Sequence, residues 1–188
     1  IYMNSLPVAK ITGNRSYCVL PSTTATINLA TVFNTNYTYS WSSNPGGATF
    51  TPANLFYSQA SVNLPAVLPV IYEFIVNVTD TTTGCQNADT ICVAFYEEPS
   101  FTVPFLNACE GANVLLLPSL IDPTLYNYQW SNGATTPLIT ASTPGFYSLT
   151  MTNKLNGCSS TQNAGFIHAK PDLSLFPTGC DNICLLDT

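Results

Sequence analysis

Two separate stretches of this chain superimpose without a gap, and this self-likeness limits the possible fold more than any other feature. Tyr72-Glu-Phe-Ile-Val-Asn-Val-Thr-Asp-Thr-Thr-Thr-Gly-Cys85 lies over Gly145-Phe-Tyr-Ser-Leu-Thr-Met-Thr-Asn-Lys-Leu-Asn-Gly-Cys158. Phe74 falls on Tyr147, Val76 on Leu149 and Val78 on Met151, and both stretches end Gly-Cys. Upstream, Tyr39-Ser-Trp41 matches Tyr128-Gln-Trp130, and Cys18 matches Cys109. Apolar residues at alternate positions put one side of an extended strand toward a core. The chain therefore builds one β unit more than once.

Each unit opens with Pro and then apolar residues at alternate positions: Pro7-Val-Ala-Lys-Ile11, Pro99-Ser-Phe-Thr-Val103 and Pro171-Asp-Leu-Ser-Leu175. These openings divide the chain into a first repeat over 1–98, a second over 99–170, and the opening strands of a truncated third over 171–188. The third cannot have a core of its own, so it is expected to be held by a neighbouring sheet, another chain or a larger assembly. Trp and the second Cys are further apart in the first repeat than in the second. The extra length is read as an insertion over 44–69, where Pro45-Gly-Gly47 and Leu64-Pro-Ala-Val-Leu-Pro69 look like loop or irregular edge.

In the second repeat, strands are expected over 101–106, 114–117, 127–130, 138–140, 146–152 and 161–169. Asn132-Gly133, Pro144-Gly145 and Asn156-Gly157 supply turns between them. Helical periodicity is sustained nowhere. Short strands at this spacing, with a Trp on the third, describe an all-β chain of tandem immunoglobulin-like β-sandwiches. Trp41 and Trp130 are then core anchors.

Composition narrows the function. Only 7% of residues are charged, against roughly 25% in an ordinary soluble domain, and the net charge is −6. The basic residues Lys10, Arg15, Lys154 and Lys170 are scattered, so no row of cations can neutralise a row of phosphates. Nucleic acid and anionic membrane surfaces are poor partners. No apolar run approaches the roughly 20 residues that a membrane helix needs. The chain opens at Ile1 with no initiator Met, and it carries seven cysteines. It is read as a processed or excised piece of an exported protein that folds in an oxidising compartment.

Cys109-Glu-Gly, Tyr128-Gln-Trp-Ser-Asn-Gly-Ala-Thr-Thr-Pro137, Ser142-Thr-Pro-Gly-Phe-Tyr-Ser-Leu-Thr-Met-Thr-Asn153 and Asn156-Gly-Cys158 resemble the immunoglobulin-like and PKD-like repeats of large surface proteins from gliding, type IX-secreting bacteria. The likeness covers nearly all of the second repeat and the flanking motifs of the first. It implies a cell-surface or secreted location and a role in an adhesin or surface filament. The C-terminal sorting domain that family members carry is not in this segment.

Two schemes for the cysteines stay open. One bridge per repeat would pair Cys18 with Cys85 and Cys109 with Cys158. In an immunoglobulin-like sandwich, however, those partners sit at opposite poles, separated by roughly 25 Å of strand, whereas a disulfide needs Cα atoms within about 7 Å. The preferred scheme places a bridge at the junction between repeats, using two of Cys18, Cys92 and Cys158. Either Cys18 bonds Cys158 across repeats or Cys18 bonds Cys92 within the first, and Cys85 and Cys109 then look to units before and after.

No catalytic site is expected. His168 is the single histidine, alternating with Phe166 and Lys170 on a terminal strand, and no Gly-x-Ser-x-Gly elbow accompanies it. Cys180 and Cys184 lack the spacing and second ligand pair of a zinc site, so they are counted as disulfide candidates and no metal or cofactor is expected. Asp80-Thr81-Thr82 and Asp89-Thr90-Ile91 are similar to sites at which such bacteria O-glycosylate exported proteins, which makes Thr81 and Thr90 the candidates. Asn14, Asn36 and Asn77 open Asn-x-Ser/Thr triplets, which matter only in a eukaryotic secretory route.

The function expected is a non-catalytic structural repeat segment of a large extracellular surface protein. Its partners are neighbouring repeats or other copies in an assembly. The alternative is a module binding glycans or surface proteins, with Phe50, Phe56 and Tyr57 in the insertion as its surface, or an accessory domain of a secreted enzyme.

Overall fold

The computed structural model describes residues 4–170, and within them the chain divides after Glu97 into two compact units. The expected third repeat, with Cys180 and Cys184, lies outside the described residues. No helix occurs among the described residues.

The first unit contains β1 (Ser16–Val19), β2 (Thr24–Ala30), β3 (Tyr37–Asn44), β4 (Thr49–Thr51), β5 (Tyr57–Asn63), β6 (Val70–Asp80) and β7 (Gln86–Glu97). They form two sheets, ordered β1-β7-β6-β3 and β2-β5-β4. Strict alternation decides which side chains go inward. Trp41, Phe74, Val76, Val78, Ile91, Val93 and Phe95 leave the larger sheet and meet Ile27, Leu29, Ala60 and Val62 from the smaller one. Removing the ring of Phe74, which is wholly buried, costs about 3–5 kcal/mol in a packed core of this kind.

The second unit contains β8 (Leu106–Cys109), β9 (Val114–Leu116), β10 (Tyr126–Trp130), β11 (Ile139–Ala141), β12 (Gly145–Asn153) and β13 (Ser159–His168). Its sheets are ordered β10-β12-β13-β8 and β11-β9. In both units the first strand runs parallel to the last, β1 along β7 and β8 along β13, while the other pairs are antiparallel. This pattern makes each unit an immunoglobulin-like β-sandwich.

The sequence alignment reappears as register. Trp41 faces Val76 and Tyr39 faces Val78; Trp130 faces Leu149 and Tyr128 faces Met151. Each tyrosine hydroxyl accepts a backbone N–H from the corner before its strand, Asn34 to Tyr39 at 2.9 Å and Asp122 to Tyr128 at 2.8 Å. The β6–β7 and β12–β13 hairpins close alike. Asp80 N–H donates to Cys85 O and Gly84 N–H to Asp80 O, while Asn153 N–H donates to Cys158 O and Gly157 N–H to Asn153 O, all between 2.8 and 2.9 Å. Gly84 at φ 72° and Gly157 at φ 75° supply the left-handed backbone that this turn requires.

Two expectations need correction. The segment 44–69 is no loop or irregular edge, because it holds β4 and β5, and β5 is the central strand of the smaller sheet. Ser58, Ala60 and Val62 point inward there, and their small side chains conceal the alternation beneath the flanking prolines. The strand expected over 101–106 is also misplaced, since the ladder runs over β8. Phe101 and Val103 are nonetheless buried in the core. Pro104 lacks the N–H that a ladder strand needs, and Thr102 bonds Ser119 instead. The opening of the first unit behaves alike: Ile11 is buried and its N–H meets the Asp89 carboxylate at 2.6 Å.

A bulge in β13 shifts its register against β12 between Tyr147 and Ser148. There Gly165 adopts φ +151°, and a Cβ on it would overlap the carbonyl oxygen of Leu106. Gly165→Ala is expected to destabilise the second unit by on the order of 3–5 kcal/mol. Gly84→Ala, with open space around it, should cost the first unit about 1 kcal/mol. Urea titrations of the two variants, followed by tryptophan fluorescence, check this difference.

Candidate functional site

Trp41 and Trp130 are buried, and each indole N–H donates to a carbonyl of the strand-to-strand connection beyond it, Leu55 and Thr136 respectively, both at 2.9 Å. The rings pack in the two cores while the N–H groups tie down the β4–β5 connection in the first unit and the β10–β11 connection in the second. Their role is internal, and neither ring offers a face to a ligand.

The aromatic surface expected over Phe50, Phe56 and Tyr57 does not exist as one strip. Phe50 packs against the core, stacked on Trp41 with centroids 6.5 Å apart and edge-on to Phe74 at 6.2 Å. Phe56 is half-buried against the same core. Tyr57 is the exposed member at 47%, because β5 alternation sends it to the opposite side from Ser58 and Ala60. A bulky aromatic in a strand is read as surface or core only once its phase in the alternation is known, and in β5 the small inward residues hid that phase.

The cysteines divide into two classes. Cys18, Cys109 and Cys158 are disulfide-bonded, whereas Cys85 and Cys92 carry free thiols. Cys18 lies opposite Tyr96 near the end of β7, while Cys85 precedes the start of that strand. Cys109 lies opposite His168 at the end of β13, while Cys158 precedes its start. A ten-residue strand spans about 33 Å, far beyond the roughly 7 Å of a disulfide. Cys109 and Cys158 therefore do not bond each other, and the free thiols remove both Cys18 with Cys85 and Cys18 with Cys92. Cys92 is exposed on β7 opposite Glu73, and Cys85 is half-buried at the hairpin.

Thr81 and Thr90 are both exposed. Thr81 sits in the β6–β7 turn, where its hydroxyl donates to Asn36 O at 2.9 Å, and Thr90 stands on the outer face of β7 opposite Ile75. Asp80 is the keystone of that turn, accepting the Thr82 hydroxyl at 2.5 Å and the N–H groups of Thr82 and Thr83. Asp122 organises a second turn in the same way, through Thr124 and the N–H of Leu125. These bonds, the threonine hydroxyl first, hold both carboxyls below their ordinary value of 3.8. His168 is exposed at the end of β13, its ring edge-on to Phe166 at 4.7 Å. Among the described residues no three His, Cys, Asp or Glu side chains are gathered as a metal site.

No protein-family model matches the chain, and no curated protein matches it. Solved structures similar to it are multidomain β proteins. A three-domain immunoglobulin fragment of titin matches with 10% identity and a TM-score of 0.32, covering 87% of this chain and 66% of that one. The three N-terminal domains of the highly immunogenic outer capsid protein of bacteriophage RB49 match with 17% identity and a TM-score of 0.34, covering 86% and 58%. The fibronectin(III)-like modules of CbhA from Clostridium thermocellum match with 8% identity and a TM-score of 0.33, covering 85% and 95%. The chain thus spans less than two thirds of the first two. It is strand order and register, rather than these distant likenesses, that make each unit immunoglobulin-like.

Two outcomes are expected. In the native, non-reduced protein, iodoacetamide should label Cys92 fast and Cys85 more slowly, with no labelling of Cys18, Cys109 or Cys158, as read by peptide mass. The lowered carboxyls act on acid stability. Their contribution is fully present above the ordinary carboxyl value of 3.8 and is lost as pH falls through the lower folded value. Asp80→Asn and Asp122→Asn keep an oxygen acceptor but do not titrate. Melting curves should show each variant close to the parent at neutral pH, with a shallower loss of stability on acidification below that value.

Proposed function

We propose that this chain is a non-catalytic run of tandem repeats from a large exported surface protein, of the gliding-adhesin type made by type IX-secreting bacteria, and that it serves as stalk or filament. The observation that carries the reading is the division of the cysteines. Cys18 and Cys158 are bonded, yet Cys18 is denied both free thiols of its own unit, and Cys158 is a full strand away from Cys109. The reading joins Cys18 to Cys158, one from each repeat.

A covalent link between successive repeats limits how far they can part under load, as a stalk requires. Disulfides persist in oxidising surroundings, in keeping with an extracellular or cell-surface location. Thr81 and Thr90 are then sites for O-glycans on that surface, and neighbouring repeats or further copies are the partners.

A non-reducing peptide map of the protein isolated from its source tests the reading. The expected result is a cross-linked peptide containing Cys18 and Cys158, together with added hexose mass on the Thr81 or Thr90 peptide. Cys18 recovered as a free thiol, or in a bridge to Cys85 or Cys92, overturns it. Cys18→Ser should leave the circular dichroism of the chain unchanged while broadening the distribution of distances between spin labels placed on the two repeats.

A further inference from the structure

The outer face of the β2-β5-β4 sheet is chemically uniform. Alternation sends Thr24, Thr26 and Asn28 of β2 outward, with Tyr57, Gln59, Ser61 and Asn63 of β5 and Thr49 and Thr51 of β4. Register lines them up in rows: Thr26 opposite Ser61 opposite Thr49, and Asn28 opposite Gln59 opposite Thr51. Solvated faces are usually rich in Lys and Glu. This one carries hydroxyls, amides, one phenol and the methyl of Ala30, which lies opposite Tyr57.

At one end the face sinks into a groove of about 620 Å³ lined by Thr12, Gly13, Asn28, Thr51, Tyr57 and Gln59, among others. Its size falls within the roughly 300–1,000 Å³ range of small-molecule sites. Gln59 Nε2 donates to Asn28 Oδ1 at 3.4 Å, a single bond that leaves Gln59 Oε1 and Asn28 Nδ2 with spare capacity. The Tyr57 ring is packed on one side and open on the other. It stands edge-on to Phe56 with centroids 5.0 Å apart, and Phe56 in turn meets Phe33 at 5.0 Å.

We propose that this groove binds a neutral saccharide. The C–H face of a sugar ring stacks on the Tyr57 ring, and its hydroxyls exchange hydrogen bonds with the Gln59 and Asn28 amides and the Thr51 hydroxyl. A sugar hydroxyl both donates and accepts, as the paired amides do. No Lys or Arg lines the groove to hold an acidic sugar or a phosphate. The site is separate from the cysteine bridge, so failure of either reading leaves the other standing.

The test is heteronuclear NMR titration of the whole chain with maltohexaose, cellohexaose, xylohexaose and mannohexaose, and with polygalacturonate as the acidic comparison. The expected result is that at least one neutral oligosaccharide shifts the amides of Gly13, Asn28, Thr51 and Gln59, with an affinity that does not change with salt. Tyr57→Ala should weaken that binding by about tenfold or more, Gln59→Ala should weaken it also, and Tyr57→Phe should retain it. Because these side chains are exposed, each variant's melting temperature should match the parent's. The proposal is overturned if none of the four neutral sugars shifts these amides, if Tyr57→Ala binds unchanged, or if polygalacturonate binds better and in a salt-dependent way.

Discussion

Each unit hangs on one long antiparallel hairpin. In the first, eleven-residue β6 and twelve-residue β7 pair from Val70 with Phe95 to Thr79 with Gln86. β12 and β13 do the same in the second. Every other strand of the larger sheet attaches to an arm of that hairpin, and its inner face supplies most of the residues that are fully excluded from water, Phe74, Val76, Val78, Val93 and Phe95 in one unit and Leu149, Met151 and Ala164 in the other. Burial of these side chains is the main favourable contribution. The hairpin turns repeat so closely because a shift of one residue would send the whole inner row into water.

With so few charges, the outer faces rely on short uncharged contacts. Cross-strand contacts such as the hydroxyl pair of Thr150 and Thr161 at 2.7 Å, and the Thr24 hydroxyl donating to Asn63 Oδ1 at 2.8 Å, contribute modestly each, and they do not weaken with salt as surface ion pairs do. Asp80 and Asp122 work locally, closing turns, while Asp89 ties the opening segment to β7 through the N–H of Ile11. A surface of this kind keeps its contacts as ionic strength changes.

Much of this was legible in the sequence because the hairpin arms alternate strictly and are aligned without a gap. That Trp41 and Trp130 hold equivalent places, as do Val76 and Leu149, could be read from that alignment; that each Trp faces the matching residue across the sheet came only with the register. What stayed hidden has a common physical cause. In β5 the inward residues Ser58, Ala60 and Val62 are small, so a core strand read as part of a loop, and the phase of Tyr57 could not be fixed. Around 101–106 the apolar alternation was real, since Phe101 and Val103 are buried, but burial was mistaken for strand pairing that Pro104 does not allow. The hydroxyl and amide rows beside Tyr57 draw on three strands whose register no local pattern reveals.

The parallel pairing of first strand with last has a mechanical consequence. Tension applied through the backbone enters a unit at its first strand and leaves at its last. Where these run parallel, as Ser16 to Val19 run beside Ala94 to Glu97, the pull slides one strand along the other and loads all the intervening bonds together. An antiparallel terminal pair would peel open one rung at a time. With the cysteines reduced, each unit is thus held in shear at the place where force arrives.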